Sequence, residues 1–268
     1  MDTRIAIAGV AGRMGRTLVK CAHAAEDLVV VGGTERPGSG ELGGDIGRLA
    51  GLDPVGVSID LSAEKAAHSA DVWVDFTSPL STLEALDALK STTVRAAIIG
   101  TTGFNDEEDK QLLRHAERVA IVRAGNFSLG VNLLTALVQQ AAERLDESWD
   151  IEILETHHRM KVDAPSGTAL MLGEAAAYGR GAPLADLRTP PYDGITGERN
   201  PGDIGFSVRR SGGVIGDHEA TFTSMNEILS LRHTAMNRDI FADGALHAAR
   251  WAVKQSPGFY SMRNVLGL

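Results

Sequence analysis

Through the first half of the chain, short β-branched apolar runs alternate with helix-spaced segments. RIAIAG (4–9), LVVVGGTE (28–35), VWVDFT (72–77), AAIIGTTG (96–103) and VAIVRAGN (119–126) read as strands. GRMGRTLVKCAHAAE (12–26), LSTLEALDALKST (80–92) and DEEDKQLLRHAER (106–118) carry apolar positions at helical spacing between them. Strands alternating with helices imply right-handed crossovers and a parallel sheet.

The texture changes after Asn126. GVNLLTALVQQAAERL (130–145) reads as a longer amphipathic helix, and DIEILETHH (150–158) alternates like a strand with one buried face. A helix is predicted from Ser166 to about Tyr178. The Gly/Pro-rich stretch 179–203 reads as loop, and 205–236 as several antiparallel strands with GG and GD turns. A last helix spans 239–255. The pattern therefore predicts an α/β chain: a Rossmann-like, doubly wound parallel sheet and an α+β second domain. The composition change near 126–132 and near 237–241 suggests a hinge at those places.

Composition narrows the function classes. The chain has 268 residues, enough for one large domain or two modest ones, and 43% are hydrophobic against 23% charged. A net charge of -9 argues against nonspecific nucleic-acid binding. No run approaches the roughly 20 apolar residues of a membrane span, and the N-terminus lacks a signal-peptide pattern. The single cysteine, Cys21, forms neither an internal disulfide nor a multi-Cys zinc site, and it reads as a buried thiol. Together these point to a cytoplasmic protein.

The first turn is Gly9-Val10-Ala11-Gly12-Arg13-Met14-Gly15. Its spacing is GxxGxxG rather than GxGxxG, and a glycine pattern alone is a weak signal. Its place between a strand and a helix is where a dinucleotide loop belongs. Glycines there allow a tight turn and close approach of a pyrophosphate to a helix N-terminus. About 20 residues on, strand two ends in Glu35-Arg36. A glutamate there can accept from ribose hydroxyls, and an arginine can pair with a 2′-phosphate. Having both suggests tolerance of NADH and NADPH. Gly100-Thr101-Thr102-Gly103 and Gly125-Asn126-Phe127 end strands at the same sheet edge, where ligands of open α/β sheets bind.

A second cluster lies in ETHHRMKVDAPSGTA (155–169), where four cationic or titratable residues fall within positions 157–161. On an extended run His157 shares a face with Ile151, Ile153 and Glu155, whereas His158 shares the other with Leu154 and Thr156. Ser166 looks like a helix N-cap. The Gly167 and Thr168 N–H groups, with Lys161 or His158, then outline a carboxylate site. A histidine or lysine here can also donate a proton during a reduction. A surface turn of solvated charges and a zinc site are the competing readings, and no HExxH or Cys-rich spacing supports the latter. Asp163 either caps the loop or orients Lys161. The remaining histidines (23, 68, 115, 218, 233, 247) lie singly and read as structural or surface residues.

At these residues the sequence resembles the 4-hydroxy-tetrahydrodipicolinate (dihydrodipicolinate) reductase family. HHRMKVDAPSGTA (157–169), GVAGRMGR (9–16), GTTGF (100–104), NFSLGVN (126–132), GDHEATF (216–222) and FADGALHAARW (241–251) match in order and spacing. The resemblance implies NADH- or NADPH-dependent reduction of a cyclic dicarboxylate, with loss of water, in diaminopimelate and lysine synthesis. It implies that Gly9, Val10, Ala11, Gly12, Arg13 and Met14 hold the cofactor diphosphate and Glu35 the ribose, with Arg36 beside it. Gly100, Thr101, Thr102, Ala124, Gly125, Asn126 and Phe127 are implied at the nicotinamide end. His157 and Lys161 stand at proton-donor positions, and His158, Ser166, Gly167 and Thr168 at substrate-binding positions. No metal is implied. The resemblance also implies a nucleotide domain of residues 1–127 closed by 238–268, and a substrate-binding and tetramerisation domain of 128–237. Another amino-acid-pathway dehydrogenase of aspartate or homoserine type shares the first domain but not HHRxKxDAPSGT. A non-catalytic NADP sensor is the alternative of another class.

Overall fold

The structure, a computed structural model, describes residues 2–268. In chain order its elements are β1 (Thr3–Ile7), α1 (Arg13–His23), β2 (Leu28–Thr34), α2 (Ile46–Leu49), β3 (Ile59–Asp60), α3 (Ala63–Ala66), β4 (Val72–Asp75), α4 (Pro79–Ala88), β5 (Ala96–Ile99), α5 (Asp106–Ala116) and β6 (Ala120–Arg123). They continue with α6 (Leu129–Arg144), β7 (Asp150–His157), α7 (Gly167–Gly179), α8 (Leu184–Leu187), β8 (Ile204–Arg210), β9 (Asp217–Thr223), β10 (Ile228–Thr234), α9 (Asp239–Ala252), β11 (Gly258–Tyr260) and α10 (Met262–Leu266). The chain divides into two compact units, Met1–Leu129 with Asp239–Gly267, and Gly130–Arg238.

In the first unit seven parallel strands run in the order β11-β6-β5-β4-β1-β2-β3. The order reverses between β1 and β4, which is the switch point of a doubly wound sheet. Alternate strand residues feed two cores, because successive side chains point to opposite faces. Ile5, Ile7, Val72, Val74, Ile98 and Val122 pack with α1 and α9 on one face. Ala6, Trp73, Ala97, Ile99 and Ile121 pack with residues of α4 and α5 on the other. Helix α9 closes the first face, and it lies so near that a Cβ on Gly244 would sit 1.8 Å from the Phe127 carbonyl. The helix predicted over 239–255 ends at Ala252, and β11 then adds a seventh strand that periodicity did not reveal.

The second unit holds a four-stranded sheet in the order β10-β9-β7-β8. Residues of α6 and α7 cover one face around Ile151, Ile153, Ile204, Ala220 and Phe222. Here one expectation is corrected. β8 does not pair antiparallel with β9; it lies parallel to β7, which separates the two. The glycine-rich link 211–216 therefore crosses the end of β7 instead of closing a hairpin. Ser211 N–H donates to the His157 carbonyl at 2.8 Å and Arg159 N–H to the Gly212 carbonyl at 3.2 Å. Only β9 and β10 form a hairpin, turned at Ser224, whose Oγ accepts from the N–H groups of Asn226 and Glu227. The stretch 179–203 is mostly loop with the short α8 inside it. Arg199 pins it to β7 through Asp150, Glu152 and the Ile151 carbonyl.

Candidate active site

In the first unit the chain leaves β1 and turns at Gly9, whose φ of +62° favours glycine. Gly12 N–H donates to the Gly9 carbonyl at 2.9 Å, and Val10 N–H to the Thr34 carbonyl at 3.0 Å. A Cβ on Gly15 would fall 2.3 Å from the Gly9 carbonyl, so only glycine lets α1 start this close to the loop. Gly12 caps α1 without a side chain over its first turn. That leaves the helix N-terminus open to an anion. Gly12 and Arg13 are exposed, Val10 is fully buried, and Met14 packs against the core.

Glu35 ties the glycine loop to the end of β2. Its carboxylate accepts from Ala11 N–H and from Arg36 N–H, both at 3.1 Å. Gly9, Glu35, the exposed Arg36, Thr77 and Leu80 line one cleft of about 620 Å³. A glycine turn, an uncapped helix start and a paired acid and base at the end of β2 fit an adenine dinucleotide.

At the ends of β4 and β5 the buried Asp75 organises the loops. Its Oδ1 accepts from Thr77 N–H at 3.0 Å, Thr77 Oγ1 at 2.6 Å and Thr101 Oγ1 at 3.2 Å, while Oδ2 accepts from Trp73 Nε1 at 3.2 Å. The Thr101 side chain is thus committed inward. A Cβ on Gly100 would strike the Phe76 ring at 2.0 Å, and Phe76 meets Phe127 edge to face at 5.4 Å. Phe127 is a core residue, so it offers its backbone rather than its ring to a ligand. Thr102 and Gly125 are exposed, Ala124 N–H donates to the Ile99 carbonyl, and Asn126 Oδ1 takes Ser128 N–H.

The second unit gathers the other cluster at the end of β7. His157 and Glu155 share the inward face, both buried. Glu155 Oε2 lies 2.5 Å from His157 Nδ1 and accepts from Arg210 Nη1 at 2.9 Å. Its Oε1 accepts from Ser166 N–H at 3.0 Å and from Arg210 Nη2 at 3.1 Å. Burial opposes the Glu155 charge, but Arg210, His157 and the Ser166 N–H outweigh it and hold the carboxyl below its ordinary value. Burial pushes His157 downward, and Glu155 opposes that. His218 stands against His157 edge to face at 5.0 Å, and burial, aided by His157, pushes it down to about 4.

The loop from His158 to Ser166 completes the cluster. Lys161 Nζ lies 2.9 Å from Asp163, so Asp163 orients the lysine. His158 Nε2 is 3.5 Å from Arg238, and its buried Nδ1 has no hydrogen-bond partner within the structure. Ser166 caps α7, its Oγ accepting from Ala169 N–H at 3.2 Å, so the helix begins at Gly167 with Thr168 next. Glu155 thus ties His157 to the start of α7, and Lys161, in the turn after His158, lies close enough to act on the His157 charge. Such a cluster can hold carboxylates and supply a proton. Sequence reasoning missed Glu155, Arg210, His218 and Arg238 here, and Asp75 in the first unit. The period-2 alternation that paired Glu155 with His157 was the one available signal.

An all-parallel sheet with a glycine turn at its switch point defines the dinucleotide-binding α/β class, here joined to a separate domain with a histidine–lysine site. The chain belongs to the dihydrodipicolinate reductase family: the family's N-terminal part matches residues 3–127 and its C-terminal part residues 130–266. The 4-hydroxy-tetrahydrodipicolinate reductase of Parvibaculum lavamentivorans is 51% identical over 268 residues, covering 100% of this chain and 98% of the relative. The reductase of the same name from Afipia carboxidovorans is 48% identical over 267 residues, with coverage of 100% and 98%. A dipicolinate-bound dihydrodipicolinate reductase from Paenisporosarcina sp. TG-14 superposes with a TM-score of 0.79 at 28% identity, covering 98% of this chain and 99% of that one. An amine dehydrogenase from Mycobacterium smegmatis shares the fold alone, with a TM-score of 0.66 at 16% identity and coverage of 97% and 94%.

Proposed function

We propose that the protein is an NAD(P)H-dependent 4-hydroxy-tetrahydrodipicolinate reductase of diaminopimelate and lysine biosynthesis. The observation that supports this reading is the Glu155 carboxylate that ties His157 to the Ser166-capped start of α7, with Lys161 in the loop between them, in a chain half identical to reductases of that name. In the net reaction the substrate loses its hydroxyl together with one ring hydrogen as water, and the ring gains a hydride and a proton. The nicotinamide cofactor supplies the hydride when bound. Gly9 to Met14 cradle its diphosphate, Glu35 takes the adenosine ribose, and Arg36 serves a 2′-phosphate. Gly100 to Thr102 and Ala124 to Phe127 serve the nicotinamide end, with Thr101 and Phe127 acting through their backbones.

In the second domain His158, Ser166, Gly167 and Thr168 hold the carboxylates of a small cyclic dicarboxylate. Lys161, kept in place by Asp163, and His157 manage the proton. The outer face of the four-stranded sheet, where Ile228 is 67% exposed, fits assembly as a homotetramer. No helix among the described residues is long and apolar enough to cross a membrane. A single cysteine fits the reducing cytoplasm. Freshly generated 4-hydroxy-tetrahydrodipicolinate, mixed with the protein and either NADPH or NADH, tests the reading. Substrate-dependent oxidation of either cofactor supports it, and oxidation of neither refutes it. Light scattering of the eluted protein tests the tetramer.

A further inference from the structure

The His157 ring is fixed by a carboxylate that is almost wholly removed from solvent. The Glu155 side chain is 1% exposed and is held by His157, Arg210 and the Ser166 N–H. A carboxylate only accepts hydrogen bonds, so the His157 nitrogen facing it carries a proton. That nitrogen is Nδ1, at 2.5 Å. The exchangeable nitrogen is therefore Nε2, at the far side of the ring. There the chain has Gly216, whose missing side chain leaves room: a Cβ would stand 3.2 Å from Nε2.

We propose that Glu155 is the positioning residue of this site, fixing His157 with a proton on Nδ1 and favouring its charged form against burial, so that Nε2 is the atom that takes up and gives the proton, while Arg210 keeps the carboxylate ionised and in place. The inference rests on the reductase reading for the use made of that proton. The arrangement is set by sheet register. β7 pairs His157 with Arg210 on β8, and Glu155 with His218 on β9. The charged and titratable groups facing His157 are thus Glu155 from its own strand, Arg210 from β8, His218 from β9 and Lys161 from the following loop. Of these only Glu155 favours the imidazolium. The same carboxylate takes Ser166 N–H, so one group sets both the His157 ring and the start of α7.

A glutamine cannot reproduce this. One oxygen of Glu155 accepts from Ser166 N–H and Arg210, and the other faces His157 and Arg210. An amide NH2 in either place points a donor at Arg210. If it faces His157, it donates to Nδ1 and drives the ring proton to Nε2.

The test is nitrogen-15 NMR of the histidine rings in the intact protein, read beside the pH dependence of kcat. In Glu155→Gln the His157 midpoint is expected to fall by about one to three pH units, the range for losing an adjacent opposite charge. The neutral ring is expected to gain Nε2–H, and the alkaline fall of kcat to move to lower pH. Glu155→Asp keeps the charge and is expected to hold the midpoint closer to that of the parent. If the glutamine form does not fold, the tautomer of the neutral His157 ring in the parent decides: Nδ1–H is expected, and Nε2–H overturns the proposal. A His157 midpoint and tautomer unmoved in Glu155→Gln overturns the proposal, and so does a midpoint that falls as far in Glu155→Asp as in Glu155→Gln. Because the NMR reading needs no turnover, a protein that fails to reduce the substrate refutes the reductase reading and leaves this result standing on its own.

Discussion

Ser166 and His218 lie 52 residues apart in sequence, yet the serine Oγ stands 3.0 Å from the histidine Nε2 inside the second domain. The contact joins the cap of α7 to β9, and both residues are buried. His218 is held at about 4, against its ordinary 6.5. Below pH 6.5 the unfolded chain takes up a proton here that the folded chain refuses until about pH 4. Stability from this group is therefore complete above 6.5 and is lost as pH falls toward 4. Its full size is on the order of 3 kcal/mol. Urea unfolding at pH 7 and pH 4.5 should show this loss in the parent and a smaller loss in His218→Gln. Equal losses would show that His218 titrates freely. Carboxylates such as Glu155, lowered in the fold, stabilise it fully at higher pH and begin to lose that contribution only nearer pH 4.5 and below, so the two windows separate.

On the proposed reading, cofactor choice is set at the end of β2. Arg36→Ala should weaken NADPH about ten- to a hundredfold, the value of a charged hydrogen-bonded contact, and leave NADH nearly unchanged. Glu35→Ala should weaken NADH and also free the Ala11 N–H it now holds. Fluorescence titration with each cofactor reads both effects. Equal losses of NADH and NADPH in Arg36→Ala would mean that the arginine does not meet the 2′-phosphate.

Asp75 should prove the hidden support of the cofactor domain. Asp75→Ala strands Trp73 Nε1, in a fully buried side chain, and the Thr77 hydroxyl, while Thr101 Oγ1 keeps the Thr77 N–H and the Thr82 hydroxyl. Leaving buried polar groups unpaired costs about 1–3 kcal/mol each. The melting temperature should fall by several degrees, and NADPH affinity should fall with it because the loops after β4 and β5 lose their common anchor. An unchanged melting temperature would contradict this role.

What could be read in the sequence was local, and what could not was long-range. The glycine turn, the Glu35-Arg36 pair and the Ser166 cap each announce themselves within a few residues, because turns, caps and strand ends are chosen by local backbone needs. Alternation along β7 likewise placed Glu155 beside His157 on one face. The remainder of the cluster depends on register. Arg210 reaches Glu155 only because β8 lies parallel to β7, and a reading of antiparallel hairpins across 205–236 would have sent it elsewhere. His218, met singly in the sequence, gains its partners only when β9 pairs on the other side of β7. Thr101 and Phe127 were legible as residues of the turns that follow β5 and β6. That their side chains turn inward, to Asp75 and to Phe76, follows from packing that no spacing discloses.

The central claim is tested most directly by comparing the parent protein with the double variant His157→Gln, Lys161→Ala. The measurement is the initial rate of NADPH oxidation with fresh 4-hydroxy-tetrahydrodipicolinate, taken beside the NADPH dissociation constant. The parent should turn over, and the double variant should lose about two to four orders of magnitude in kcat with NADPH binding kept. A parent that oxidises no cofactor, or a double variant that matches it, would contradict the account.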